Sequence, residues 1–505
     1  MRKKKNIFIY IAILIYFIFI GSLIGPSRHV DPDFFQFLGD SQYYLNWQLP
    51  PFIQSLPGNP ILLGVLSRLF ANYLTEIEIA LWINAVSISL ATFLLYKILA
   101  KDSRKLVFSA ELITLFVISH PIIFASAVSN NSEALFSLFM VSVFYLVQKK
   151  KIGLAVICSA LGILIRYESA FIFGAIFLTQ LQNLSKKNLL KIAKQSMVFA
   201  ALALPILFAL LTRNDTGSIV NTPFLTEVFT RKDDVPEWRF IFNFPFAIFY
   251  LPDYLLMKTS VYMGIVGFLF WLVFLHSRDR LKKIDFIARS AMLFSILFLV
   301  FHIFFPAYLE RYFVPSIFAF AIFFNSWIGQ FKFDQKSKLV LLGCWLFLVI
   351  YNLTKIFPNG VINPKLVFDN ADYYAAQTIK QNISASKSYL IVSPYPETIS
   401  YYYREHENIN LVSINKLKEL SECDDLDCAI KHFEMNETNK ILIPYSSFFE
   451  WGMNGNYDNS LRKWYEEIGL YELGEFIFDG NLCLWQKKNW PQKYIKVRIY
   501  ETCEN

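Results

Sequence analysis

Long apolar runs separated by short polar connections make up most of residues 1–357. They fall at 7–24, 77–99, 106–127, 134–148, 152–165, 169–184, 197–211, 259–275, 284–305, 312–328 and 339–357. Run length is the dominant signal, and it predicts about eleven hydrophobic helical segments in a membrane bundle. From residue 358 the pattern changes to short β-rich runs. Residues 389–393 and 440–444 read as buried strands, and 476–478 with 482–485 reads as a hairpin turning at Asp479-Gly480. Residues 371–379 and 461–468 read as helices. The expected fold is therefore an all-α polytopic membrane bundle, residues 1–357, with an external loop at 25–76. A soluble external α/β domain, residues 358–505, follows it.

Composition supports lipid as the solvent. Of 505 residues, 55% are hydrophobic and only 17% are charged, more apolar side chain than a water-soluble core absorbs. The formal net charge is +8, but the Lys and Arg residues sit in short clusters between apolar runs, which is a topology signal rather than a nucleic-acid stripe. Arg2, Lys3, Lys4 and Lys5 precede the first segment, which no small-x-small site follows, so it reads as a retained span. Further clusters are Lys97/Lys101/Arg104/Lys105, Lys149/Lys150/Lys151, Lys186/Lys187/Lys191/Lys194, Arg278/Arg280/Lys282/Lys283 and Lys332/Lys336/Lys338, in every second connection. The positive-inside rule puts these and the N-terminus in the cytoplasm, and the alternate connections and the C-terminal domain outside. Richness in Phe, Ile, Lys and Asn suggests an AT-rich genome, and with it a bacterial inner (cell) membrane. Of six cysteines, Cys158 and Cys344 lie in apolar segments. Cys423, Cys428, Cys483 and Cys503 lie in the exported domain, where they permit two disulfides or remain free thiols. No internal repeat, low-complexity tract, Gly-rich phosphate loop or Cys/His metal motif is present.

The candidate chemistry is external. The first loop contains Asp31, Asp33 and Gly39-Asp40-Ser41-Gln42-Tyr43-Tyr44. If 41–48 is helical, Tyr43 and Tyr44 stand three and four residues from Asp40, giving a carboxylate beside an aromatic wall suited to sugars. Such a carboxylate can take a proton from an attacking group. Asp31 and Asp33 are candidate ligands for a divalent cation, Mg2+ or Mn2+, should the reaction use one. The alternative is that Asp33 and Asp40 are helix N-caps.

Arg166-Tyr167-Glu168 stands between two apolar segments of about fifteen residues, which reach roughly 22 Å of a ~30 Å hydrocarbon core. That turn should lie below the external surface, where irregular backbone requires protein or a watery cavity around it. An intramembrane Arg needs a partner, either Glu168 or Glu133 as a structural pair or an anionic lipid phosphate. Glu133 also reads as an acidic residue at a helix N-terminus. Glu310-Arg311-Tyr312 reads as an interface anchor. Pro121 should kink its span beside His120, a histidine expected to be a hydrogen-bonded core residue.

In this order and on one side of the membrane, these pieces resemble the C superfamily of membrane glycosyltransferases (GT-C). That group includes protein O-mannosyltransferases, aminoarabinose transferases and polyprenyl-phosphate-sugar-dependent enzymes of surface polysaccharide synthesis. The resemblance rests on Gly39-Asp40-Ser41-Gln42-Tyr43-Tyr44, Pro121, Ser132-Glu133-Ala134-Leu135-Phe136, Leu164-Ile165-Arg166-Tyr167-Glu168 and Glu310-Arg311-Tyr312-Phe313-Val314-Pro315. Loop one lacks the Asp-Glu pair of the protein mannosyltransferases.

The resemblance implies two juxtamembrane helices in loop one, near 34–48 and 60–73, with Asp40 as the catalytic carboxylate. It implies that Arg166 and Arg311 contact the donor phosphate in a cavity that Glu168 also lines, with Tyr43, Tyr44, Glu133 and Glu310 as further candidate substrate-binding residues. The expected partners are a polyprenyl-phosphate-linked sugar donor, a lipid, glycan or protein acceptor, and membrane lipid, with no nucleic acid. The other class of reading is a lipid or glycan transporter, which should show paired broken helices in both halves; only one short pair is evident.

Overall fold

A computed structural model describes residues 2–26, 28, 33–48, 50, 56–101, 109–181, 186–211, 276, 278–281, 283–303, 310–331, 333–362, 373, 389–393, 401–402, 404, 409–413, 440–442, 482–485 and 499–502. Fourteen helices occur among these residues. They are α1 (Arg2–Gly21), α2 (Asp33–Leu45), α3 (Gly58–Phe70), α4 (Glu76–Lys101), α5 (Ala110–Ile118), α6 (Pro121–Ala127), α7 (Ser132–Gln148) and α8 (Ile152–Gly162). After them come α9 (Ser169–Leu181), α10 (Lys186–Leu211), α11 (Arg278–Leu281), α12 (Phe286–Ile303), α13 (Phe313–Ile328) and α14 (Gln335–Ile356), with a 3-10 turn, Glu310–Tyr312, before α13.

Every apolar run read from the sequence within the described residues contains helix; 259–275 lies outside them. Two of the described helices, α4 and α14, are long and apolar enough to cross a membrane unaided, and α5 with α6 makes a third span if the pair is counted as one. That pair bends by 63° at His120-Pro121, as the proline predicts. Several other apolar helices are shorter, including α7, α8, α9, α12 and α13. The protein is an integral membrane protein in which many helices need protein rather than lipid around their ends.

The chain divides into two compact units, one of residues 1–24 and 36–367, the other of 25–35 and 368–505. In the first, phenylalanines fill the interior. Phe294 of α12 packs against Phe136 and Phe144 of α7, with ring centroids 6.3 and 6.5 Å apart. Polar bonds between helices fix the register, because buried amides and hydroxyls in lipid must find partners within the bundle. Asn84 Nδ2 of α4 donates to the Asn131 carbonyl at 2.9 Å, and Ser126 Oγ donates to Asn131 Oδ1 at 3.0 Å. Gln148 Nε2 donates to the Ile98 carbonyl at 2.8 Å, and Ser290 of α12 bonds Thr179 of α9 at 3.1 Å.

In the second unit, strands β1 (Tyr389–Ser393), β2 (Ile409–Ser413) and β3 (Lys440–Leu442) form a parallel sheet in the order β2-β1-β3, with Tyr389 opposite both Ile409 and Lys440. The partner of β4 (Leu482–Trp485) in the described chain is β5 (Ile499–Thr502), antiparallel with Leu482 opposite Thr502. The expected partner at 476–478 and its turn lie outside the described residues, as do the helix at 461–468 and all but Tyr373 of the helix at 371–379. Phe34 and Phe35 belong to this unit, their rings 5.9 Å from that of Tyr401. Cys158 and Cys344 are free thiols. Cys423, Cys428 and Cys503 lie outside the described residues.

Asn131 anchors the α6–α7 turn, since its Oδ1 also accepts the Ala134 amide at 3.3 Å as the α7 N-cap. Asn131→Ala should therefore cost about 1–2 kcal/mol, read as a lower unfolding midpoint in detergent, while Asn131→Asp should retain most of the stability.

Candidate functional site

Three separate chain segments supply the charged site. The first is the start of α7. The Asn84/Ser126/Asn131 network and the Asn131 cap fix its first turn, so that Ser132 and Glu133 occupy a helix N-terminus.

The second segment is the α8–α9 turn. α8 has 11 residues and α9 has 13, which reach roughly 16 and 20 Å of a ~30 Å core. The backbone of the turn is satisfied locally: Ile165 and Arg166 amides donate to the Gly162 carbonyl at 3.0 Å, and the Ser169 amide donates to the Arg166 carbonyl at 3.0 Å. Ser169 Oγ donates to the Ser159 carbonyl at 2.7 Å and closes the hairpin. The third segment is the end of α12 with the 3-10 turn before α13, which brings in His302, Arg311 and Tyr312.

Arg166 is the centre. Its Nε and Nη2 donate to Glu168 Oε1 at 3.0 and 2.6 Å, and its Nη1 donates to Glu133 Oε1 at 2.7 Å and to Ser132 Oγ at 2.9 Å. Four of the five guanidinium N–H groups are thus engaged within the protein. Arg311 Nε stands 3.5 Å from the same Glu133 oxygen. Both guanidinium groups approach the Tyr312 ring, at 5.3 and 5.9 Å from its centroid. The alternatives read from the sequence, Glu168 or Glu133 as the partner of Arg166, are both realised at once.

Two cations and two carboxylates make this quartet neutral, which is what low-dielectric surroundings require. Glu133 and Glu168 are 1% and 0% exposed, whereas the Arg166 and Arg311 side chains are 11% and 19% exposed. All the ion pairing falls on the Oε1 atoms. Oε2 of Glu133 and Oε2 of Glu168 are buried without a hydrogen-bond donor among the described residues. A buried oxygen left in that state costs about 1–3 kcal/mol, so both are poised to accept hydroxyl or water hydrogens.

His302 was not singled out from the sequence, where it is one polar residue in a Phe-rich run. Its Nδ1 lies 2.8 Å from the Phe298 carbonyl, a bond that requires the proton on Nδ1, and its Nε2 is 3.9 Å from Glu168 Oε1. The ring also lies 5.2 Å from that of Tyr312. His120 is the buried, bonded residue expected: its Nδ1 accepts the Ile122 amide at 3.3 Å and caps α6.

Asp40 lies within α2, seven residues after its first residue, and is 7% exposed. The N-cap alternative therefore fails for Asp40, because the helix starts at Asp33 rather than at residue 41. It ends at Leu45, with Trp47 at a φ of +57°. Tyr43 is exposed and Tyr44 half-buried. Asp31, and the side chains of Asp33 and Glu310, lie outside the described residues. Among the described residues no three His, Cys, Asp or Glu side chains gather as a metal site.

The helical bundle, with its two loop-one helices and interrupted hairpin, has a fold found in other solved structures. Solved structures that share it include ArnT from Cupriavidus metallidurans in the apo state and ArnT from the same organism bound to undecaprenyl phosphate. Each aligns with a TM-score of 0.53 at 12% identity, over 99% of this chain and 98% of that chain. No protein-family model and no curated protein sequence matches the chain. At this identity the likeness is one of fold.

Arg166→Met would leave two buried carboxylates with reduced compensation and should cost about 3–5 kcal/mol, measured as a fall in the thermal unfolding midpoint. Adding Glu133→Gln and Glu168→Gln to it should restore part of that loss.

Proposed function

We propose that the protein is a glycosyltransferase that moves a sugar from a polyprenyl-phosphate or polyprenyl-diphosphate donor to a lipid, glycan or protein acceptor at the external membrane face. The observation that carries this reading is a cluster of half-buried guanidinium groups at an interrupted helical hairpin of sub-membrane length, in a fold shared with a protein solved bound to undecaprenyl phosphate. A polyprenyl donor keeps its tail in lipid while its phosphate enters such a site.

In this reading the two arginines divide the work. Arg166 holds Glu133 and Glu168 in place, and Arg311, whose side chain is the more exposed, takes the phosphate. Glu133 and Glu168 offer their second oxygens to sugar hydroxyls. Asp40 removes the proton of the acceptor hydroxyl, the acceptor oxygen attacks the anomeric carbon, and the bond from that carbon to the phosphate oxygen breaks. The phosphate leaves with the bonding pair, its charge stabilised by preorganised donors in a dry site. Tyr43, Tyr44 and Glu310 are assigned to substrate binding, and no step uses a metal ion. The N-terminus is cytoplasmic and the C-terminal domain external.

Purified protein in lipid, supplied with a panel of radiolabelled polyprenyl-phosphate sugars, tests this directly. Asp40→Asn should lower transfer by roughly 10²–10⁴-fold with undecaprenyl phosphate binding retained. Arg311→Ala should weaken that binding by roughly ten- to a hundredfold. If no donor is consumed and Asp40→Asn still complements a deletion strain, the protein is a transporter or an assembly subunit instead.

A further inference from the structure

We propose that Gly58 is a positioning residue: through α3 it sets the distance between Asp40 and the Arg166 turn. The inference rests on the reading of Asp40 as the base. α3 begins without a side-chain cap, since Pro57 has no side-chain oxygen to offer. Its first amide finds a partner elsewhere in the chain: Gly58 N–H donates to the Leu164 carbonyl at 2.7 Å. Leu164 lies two residues beyond the end of α8 and two before Arg166. The start of one helix and the tail of another therefore satisfy each other at the point where the guanidinium-bearing turn begins.

The approach leaves no room for a side chain. A Cβ at position 58 would lie 2.7 Å from the Leu164 oxygen, 2.9 Å from its carbonyl carbon and 2.9 Å from Ile165 Cγ1. The first two are backbone atoms that cannot rotate away. Six residues further along α3, about 9 Å at the helical rise, a Cβ at Gly64 would lie 2.6 Å from Leu45 Cδ1 and 2.9 Å from Ser41 Cβ. Ser41 follows Asp40 on α2. α3 is thus a strut of fixed length, seated at one end on the arginine turn and at the other beside the carboxylate. Catalytic groups displaced by about 1 Å can lose on the order of a hundredfold in rate, so a strut that sets this separation acts on turnover rather than on donor binding.

The test compares Gly58→Ala, Gly64→Ala and Asp40→Asn in the same lipid preparation, reading kcat for sugar transfer, Kd for undecaprenyl phosphate and the thermal unfolding midpoint. The expected result is a fall in kcat of about tenfold or more in Gly58→Ala, a smaller fall in Gly64→Ala, and a Kd within about twofold of the parent. Gly64→Ala meets only side-chain atoms, so it decides the question if Gly58→Ala does not fold. Wild-type kcat in a folded glycine variant, or a loss of kcat matched by an equal loss of binding, overturns the strut while leaving Asp40 as base if Asp40→Asn is inactive. An active Asp40→Asn overturns the reading beneath it.

Discussion

A guanidinium group almost enclosed by protein, that of Arg166 with its side chain 11% exposed, imposes the strongest constraint on this molecule. So little exposed a group has to find partners for its N–H groups within the protein, and the chain meets four of them with Glu168, Glu133 and Ser132. Those partners lie in different segments, one beside Arg166 in the turn and the others at the start of α7. Satisfying one side chain therefore docks the α8–α9 hairpin on α7 and gathers the turn before α13 through Arg311. The quartet's net charge of zero explains how so many ionised groups can share a buried site.

The same arrangement places hydrogen-bond acceptors and guanidinium donors side by side. The Oε2 atoms of Glu133 and Glu168, buried without a hydrogen-bond donor among the described residues, add acceptors close to the cations. The aromatic rings of Tyr312 and His302 border the charges, limiting water and strengthening each electrostatic contact.

Loop one is divided between the two compact units at Phe35 and Gln36. Its first part packs Phe34 and Phe35 among Tyr401 and Tyr402 in the unit that carries the parallel sheet, with Arg404 over the Tyr401 ring. Its second part carries Asp40 and packs on α3 in the helical unit. Among the described residues of α2, Phe34, Phe35, Asp40 and Ser41 are buried.

Composition and run length alone determined the solvent of this protein, the positions of its apolar segments and the bend at Pro121, because a membrane demands apolar length and proline removes a helical bond wherever it stands. Segment length also singled out Arg166 as a residue in need of partners, since short apolar runs on either side leave their connection little access to water. The carboxylates that meet Arg166, the arrival of His302 and Arg311, and the seating of Gly58 on Leu164 were decided only by the tertiary structure. Glu133 is 33 residues from Arg166, and Gly58 is more than a hundred from Leu164. Hydrophobic periodicity reports which face of a helix is buried but not what it is buried against, and a glycine's role depends on a neighbour that the linear chain does not name.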